Sequence, residues 1–235
     1  EWVVKNKQWK KVIQSYAAAI TFSDVMIGRL IDQLKQSKYA DNTIIVLWSD
    51  HGMHMGEKEN IEKFTLWERS TRVPLIISFP GITQPNSICD QPVSLMDIYP
   101  TLAELSGFEK PAHLDGNSLV PQMKNPNAPT TPVITSYLFS WTEKPFAGHA
   151  VRSMNYRYIY YPNIGLEELY NHQTDPNEWQ NIAYKKENKK IVKSHRKILL
   201  EMLPELRWNS STPEGYQVDL NGNISFSNFT ELTKN

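Results

Sequence analysis

Cysteine is nearly absent: Cys89 is the only one in 235 residues. No internal disulfide can form, and no second thiol or Cys/His cluster accompanies it to bind zinc, so it reads as a lone buried or half-buried thiol. Net charge is also lacking, because 25 Lys and Arg balance 25 Asp and Glu. That removes the electrostatic case for nucleic acid or an anionic membrane as a main partner. No apolar run approaches the roughly 18 residues that a membrane span needs. No initiator methionine or signal peptide precedes Glu1, and the first residues run straight into a helical pattern. The expectation is a fragment, or a chain numbered from a break. No internal repeat is found. What is present is 40% hydrophobic residues, enough for a real core in one domain or in a large layer plus a small one.

Ile13, Tyr16, Ala17, Ile20, Ile27, Leu30, Ile31 and Leu34 recur at three- and four-residue steps among polar neighbours, which predicts a long amphipathic helix. Asp41-Asn42 breaks it. Thr43 to Trp48 and Val73 to Phe79 are continuous apolar runs, the pattern of strands covered on both faces as in a parallel sheet. Helix followed by buried strand reads as an α/β layer. Ser94 and Asp97 form a capping box ahead of Leu95, Ile98, Leu102 and Leu105, with Gly107 as the stop. Residues 108–132, rich in Pro, Asn and Gly, read as loop.

The character then changes. Val133–Phe139 reads as a strand, residues 150–153 and 156–161 as a hairpin, and Glu168–Tyr170 as a further strand. A helix from about Glu187 to Leu206 supplies their cover, with its lysines on the solvated face. The expected organisation is an α/β core over 1–132, a small antiparallel sheet plus helix over 133–207 and a polar tail over 208–235.

Chemistry concentrates in Ser49-Asp50-His51-Gly52, directly after the first buried strand. Ligands bind at the carboxyl ends of strands in open α/β sheets. A carboxylate and an imidazole at adjacent positions there can reach one metal ion, and Gly52 lets the chain turn. Lys63 supplies a compact positive charge for a tetrahedral oxyanion. His54 and His149 are candidates for substrate contact. Glu68 is read as holding the lysine loop and Arg152 as structural. Trp67 and Trp141 are candidates for stacking on sugar rings against a default of packing. His113, His172 and His195 read as structural or solvated. Asn209, Asn223 and Asn228 fit the glycosylation pattern.

These pieces together resemble the sulfatase family. Residues 49–77 are similar to its "SDHG…GE…K…E…RVPLII" segment, and Ala40–Val46 to its helix-to-strand junction. Asp97-Ile98-Tyr99-Pro100-Thr101-Leu102 resembles its "PTL" helix, and Val151–Tyr158 its "RT-x-x-YRY" hairpin. Glu168-Leu169-Tyr170-Asn171 with Asp175-Pro176-Asn177-Glu178 resembles its "ELYDL…DP-x-E" stretch. The aspartate–histidine pair looks most like the iduronate-2-sulfatase-like branch. The resemblance implies the C-terminal part of an alkaline-phosphatase-like α/β sandwich, with a small antiparallel-sheet subdomain packed by a C-terminal helix.

It further implies hydrolysis of a sulfate ester on a sugar or polysaccharide. Asp50 and His51 would ligate Ca2+, Lys63 would contact the sulfate, and a formylglycine (3-oxoalanine) would attack sulfur. The formylglycine arises from a "C/S-x-P-x-R" motif, which is absent here, as is the family's N-terminal Asp-Asp pair. The implied partner is therefore the missing N-terminal half, and this chain alone is expected to be inactive. Export is implied as well: periplasmic or secreted, or lysosomal in a eukaryote. Two other readings stay open. One is a phosphodiesterase or phosphomutase of the same superfamily with two transition-metal ions; the other is an inactive binding fragment.

Overall fold

The computed structural model describes residues 2–139, 146–162, 164–204, 206, 216–218 and 224–226. Trp141 and the three glycosylation-type asparagines lie outside the described residues. The chain forms two compact units, residues 1–47 with 75–83 and residues 48–74 with 84–235.

The first unit carries α1 (Trp2–Lys5) and α2 (Trp9–Lys35). The second helix is the one its apolar stripe predicts. It ends where Ser37 Oγ donates to the Leu34 carbonyl at 2.8 Å. Strand β1 (Ile45–Trp48) belongs to a two-stranded sheet with β4 (Leu75–Ser78). Both strands form where the apolar runs lie. Neither is buried as those runs predict: Ile76 is 55% exposed, and on α2 Ile20 and Leu30 are 53% and 71% exposed.

In the second unit, β2 (His54–Met55) and β3 (Ile61–Glu62) form a short antiparallel hairpin, followed by the single-turn helix α3 (Glu68–Thr71). Cys89, expected to be buried or half-buried, is exposed in a stretch without helix or strand. The capping box forms as expected: Ser94 N–H donates to Asp97 Oδ2 at 2.8 Å, and Met96 N–H to Ser94 Oγ at 3.2 Å. It starts a 3-10 turn that runs into α4 (Ile98–Leu105). Gly107, at φ +75°, ends that helix. The region read as loop contains one more helix, α5 (Val120–Lys124), whose Pro121 stands in its first turn, where proline's missing N–H costs nothing.

Strands β5 (Val133–Phe139), β6 (Phe146–Arg152), β7 (Tyr156–Tyr161) and β8 (Leu166–Asn171) form one antiparallel sheet in sequential order. In its register Val151 lies opposite Tyr158, and Tyr158 opposite Leu169. Alternation places Val151, Tyr158, Tyr160 and Leu169 against Val192 and Leu199 of α6 (Lys189–Met202). The opposite face, with Ala150, Ile159 and Tyr170, is covered by Leu66 and partly by Trp67. The segment that follows Lys63 is thus the second roof of this sheet. A further short antiparallel pair, β9 (Tyr216–Val218) and β10 (Ile224–Phe226), lies in the stretch read as a polar tail.

Candidate functional site

Asp50 and His51 follow directly after β1. The Asp50 carboxylate accepts the His51 backbone N–H at 3.0 Å, and its side chain is largely exposed. His51 Nδ1 lies 2.9 Å from the Gly52 carbonyl. A carbonyl can only accept, so Nδ1 carries the proton and Nε2 presents a lone pair. That lone pair faces Lys63 Nζ at 2.6 Å and lies 3.3 Å from Asp50 Oδ2. Lost hydration would raise the Asp50 carboxyl, but His51, the local backbone amides and Lys63 outweigh it and hold the group below its ordinary value. The structure therefore brings together three of the residues singled out in the sequence.

The pair suits one cation. A metal-binding imidazole characteristically has its other ring N–H tied to a carbonyl or carboxylate, which is the state of His51. A carboxylate oxygen at 3.3 Å from Nε2 can share such an ion. Calcium takes six to eight oxygen ligands, so Asp50 and His51 supply only part of a coordination sphere. The Lys63 ammonium occupies the same lone pair, and the two cations exclude each other there.

Gly52 is required for space. A Cβ on it would come within 2.0 Å of the Arg69 carbonyl oxygen, because its N–H donates to the Ser70 carbonyl of α3 at 2.8 Å. The turn expected at Gly52 is real, but the close approach of α3 is what excludes a side chain.

His54 departs from the expectation of substrate contact. It is 0% exposed and packed edge-on against Trp67. Burial pushes its imidazole below the ordinary histidine range, which keeps it neutral. A proton chain follows from its contacts. Ser70 Oγ donates to the Lys63 carbonyl at 2.5 Å, so it accepts from Thr65 Oγ1 at 2.9 Å; Thr65 in turn accepts from His54 Nε2 at 2.8 Å. Among the described residues His54 Nδ1 is then a buried acceptor without a donor. His54 anchors the Lys63 loop: its ring is fully buried and its one N–H is committed to Thr65.

Glu68 holds that loop from the other side, as expected. Its carboxylate takes Arg157, Arg152 at 3.4 Å and, more loosely, His172 Nδ1 at 3.7 Å. Burial would raise this carboxyl, but the two guanidiniums overcome that and leave it low. Arg152 also donates to the Met154 carbonyl at 3.0 Å, which bears out its structural reading. Glu68, His172 and Glu178 place ligand atoms within 4.8 Å of one another. The Arg157 guanidinium binds both carboxylates, with Glu178 Oε1 at 2.7 Å, so the cluster already holds its cation.

Trp67 is also structural. Its Nε1–H donates to Glu168 Oε2 at 2.7 Å, and Lys58 Nζ lies 3.9 Å from its ring centroid. His149 stands on β6 with Nδ1 2.8 Å from Ser136 Oγ, and its neighbour Gly148 lies against Leu66. Thr65, Ser70, Arg157 and Glu178 were not singled out as functional from the sequence. Single hydroxyl residues carry no pattern, and Glu178 shows only as the last letter of a "DP-x-E" string.

A family model described as Sulfatase matches residues 2–108, and one described as N-sulphoglucosamine sulphohydrolase, C-terminal, matches residues 56–205. A sulfatase of Formosa agariphila is 42% identical over 220 residues, covering 92% of this chain and 41% of that protein. The N-acetylglucosamine-6-O-sulfatase of Bacteroides thetaiotaomicron is 30% identical over 209 residues, covering 86% and 37%. A structure solved in complex with its substrate, D-glucosamine-2-N,6-O-disulfate, superposes with a TM-score of 0.70 at 29% identity, covering 81% of this chain and 40% of the other. The chain spans about two fifths of the length of the curated relatives it matches. Its mixed α/β architecture, with the antiparallel sheet and its covering helix, is the alkaline-phosphatase-like one of its structural neighbours. From the motif order, the fold and these matches together, the chain belongs to the sulfatase family.

Proposed function

We propose that this chain supplies one wall of the active site of a sulfatase that hydrolyses a sulfate ester on a sugar or polysaccharide. The observation that carries the reading is Lys63 Nζ at the Nε2 lone pair of His51, beside the Asp50 carboxylate. Asp50 and His51 would hold Ca2+, which when bound would polarise the S–O bonds and neutralise developing charge. The nucleophile, a formylglycine, would come from outside these residues. Tied by its Nδ1–H to Gly52, His51 keeps one tautomer and one orientation. Asp50 and His51 would hold the cation, and the Lys63 ammonium, next to them at 2.6 Å from Nε2, would donate to the sulfate oxygens and stabilise charge as the ester bond breaks. The aspartate–histidine pair supports the iduronate-2-sulfatase-like branch. A 6-O-sulfatase relative and a neighbour bound to a sulfated glucosamine support a sulfated sugar as substrate. His149, on a strand beside the Lys63 loop, is proposed to face the sugar. The partner is the N-terminal half of the same enzyme, and the setting is periplasmic or secreted, where such polysaccharides are met. We further propose the boundaries 1–132, 133–207 and 208–235 for the core portion, sheet subdomain and tail.

The test is sulfate release from a panel of sulfated mono- and oligosaccharides by the complete enzyme, with metal content measured on the same sample. Sulfate release with bound calcium supports the reading. Phosphodiester cleavage with zinc or manganese would replace it with the two-metal chemistry, and sugar binding without turnover would leave a binding fragment.

A further inference from the structure

Glu178 is 1% exposed and stands at φ 59°, a backbone conformation that a non-glycine residue holds only when its surroundings fix it. Both carboxylate oxygens are used. Oε2 accepts the Glu68 backbone N–H at 2.7 Å, while Oε1 accepts Arg157 Nε at 2.7 Å and His172 Nε2 at 2.8 Å. Its carbonyl accepts Lys58 Nζ at 2.7 Å. Arg157, held by Glu178, in turn donates to the Leu66 carbonyl at 3.2 Å. Glu68 is the first residue of α3, a single turn whose own cap residue, Trp67, makes no side-chain capping bond. The cap comes instead from a carboxylate 110 residues further along the chain. From α3, Ser70 reaches Lys63 through its hydroxyl and Gly52 through its carbonyl.

We propose that Glu178 is a positioning residue for the sulfate and metal site. It fixes the start of α3, and α3 sets both the Lys63 main chain and the amide that follows His51. This rests on the reading of Lys63, Asp50 and His51 as that site. Glu167 provides a matched comparison. It is a buried carboxylate on β8, but its partners are Tyr158, Arg196, Tyr184 and Asn181, none of them in the Lys63 loop or α3.

The experiment compares wild type, Glu178→Gln, Glu167→Gln, Lys63→Ala and the Lys63→Ala/Glu178→Gln double variant in the complete enzyme. Amide hydrogen exchange is read over residues 63–72, and kcat and KM on a sulfated sugar. In Glu178→Gln, exchange at 63–72 should accelerate, and kcat should fall about tenfold or more with KM changed by less than about threefold. Glu167→Gln should do neither, even where it lowers the thermal midpoint as much. The double variant should be no slower than Lys63→Ala alone, as expected of residues acting in one unit. Unchanged exchange in Glu178→Gln overturns the proposal. So does unchanged kcat where Lys63→Ala is inactive, an equal effect from Glu167→Gln, or full additivity in the double variant. Lys63→Ala with wild-type activity sinks the site reading instead, and the exchange arm then still decides whether Glu178 holds the loop. Glu178→Asp, which keeps the charge but withdraws it by one methylene, serves in the same arms if Glu178→Gln does not fold.

Discussion

In the proposed mechanism Lys63 is the residue on which the chemistry turns. Its ammonium is a compact charge at a fixed lone pair, so its loss removes a preorganised donor. Lys63→Ala in the complete enzyme should lower kcat on a sulfated sugar about 10²- to 10³-fold. Lys63→Arg should restore little, because a planar fork cannot replace a point donor in the same space. Steady-state sulfate release checks both. His195 makes a separate prediction about pH. It is buried on the inner face of α6, with Nε2 2.8 Å from Ser153 Oγ, and burial holds its imidazole below the ordinary value of 6.5. The folded state therefore protonates later than the unfolded one, and its stability is whole above about 6.5 and lost as pH falls below that. His54 has the same sign, whereas Glu168, raised by burial, works in the opposite direction. Denaturant midpoints from pH 8 to pH 5 should fall, and His195→Gln should flatten the fall relative to wild type. An identical slope in the variant would remove His195 from the account.

At the scale of elements, Gly52 and α3 form the tightest junction. Gly52→Ala would push a methyl to 2.0 Å from a backbone oxygen, which has no flexible end to give way. A cost at the upper end of the 1–3 kcal/mol usual for overpacking, about 3 kcal/mol, is expected, with a drop in sulfatase activity. Chemical denaturation and sulfate release measure the two. On the other roof of the sheet, Leu199 is 0% exposed in the α6 cluster. Leu199→Ala should cost about 2–5 kcal/mol by denaturation while leaving KM on a sulfated sugar unchanged, since it deletes packing and nothing else. The helix α2, the capping box at Ser94 and the hairpin β6–β7 were legible in the sequence because periodicity and turn chemistry are local. So were the positions of Asp50, His51 and Lys63, through their place after an apolar run and their motif, although the strand that run forms is only partly buried. What was not legible is long-range. His54 looks like a pocket residue until the β2–β3 hairpin folds it under Thr65. Trp67 looks like a sugar platform until Glu168, from β8, claims its N–H. Helix α5 hid in a stretch whose prolines argue for loop, since Pro121 is compatible with a first turn as well as with a coil.

At the scale of the molecule, the first unit leaves its apolar side chains open. Phe22 and Leu30 on α2 are 66% and 71% exposed, and Ile76 on β4 is 55% exposed. Surfaces of that kind on an element read as core invite a partner. The N-terminal half of the enzyme, the partner proposed above, would cover them. Expressed alone, the 235 residues should show no sulfatase activity and should self-associate. Co-expression with an N-terminal half carrying a "C/S-x-P-x-R" segment should yield a one-to-one complex that releases sulfate. Light scattering and activity read these outcomes, and sulfate release by the isolated chain would refute the dependence.

The sheet β5–β8 is roofed on one face by α6 and on the other by Leu66 and Trp67, the residues next to the site. A loop that doubles as a roof cannot lift without unroofing a core. On the proposed function this wall would act as the anvil, and any hammer that opens to admit the substrate or release its product would be sought outside this segment. Amide exchange across residues 64–71 should accordingly be slow with and without substrate, and the segments that quicken on product release should lie elsewhere.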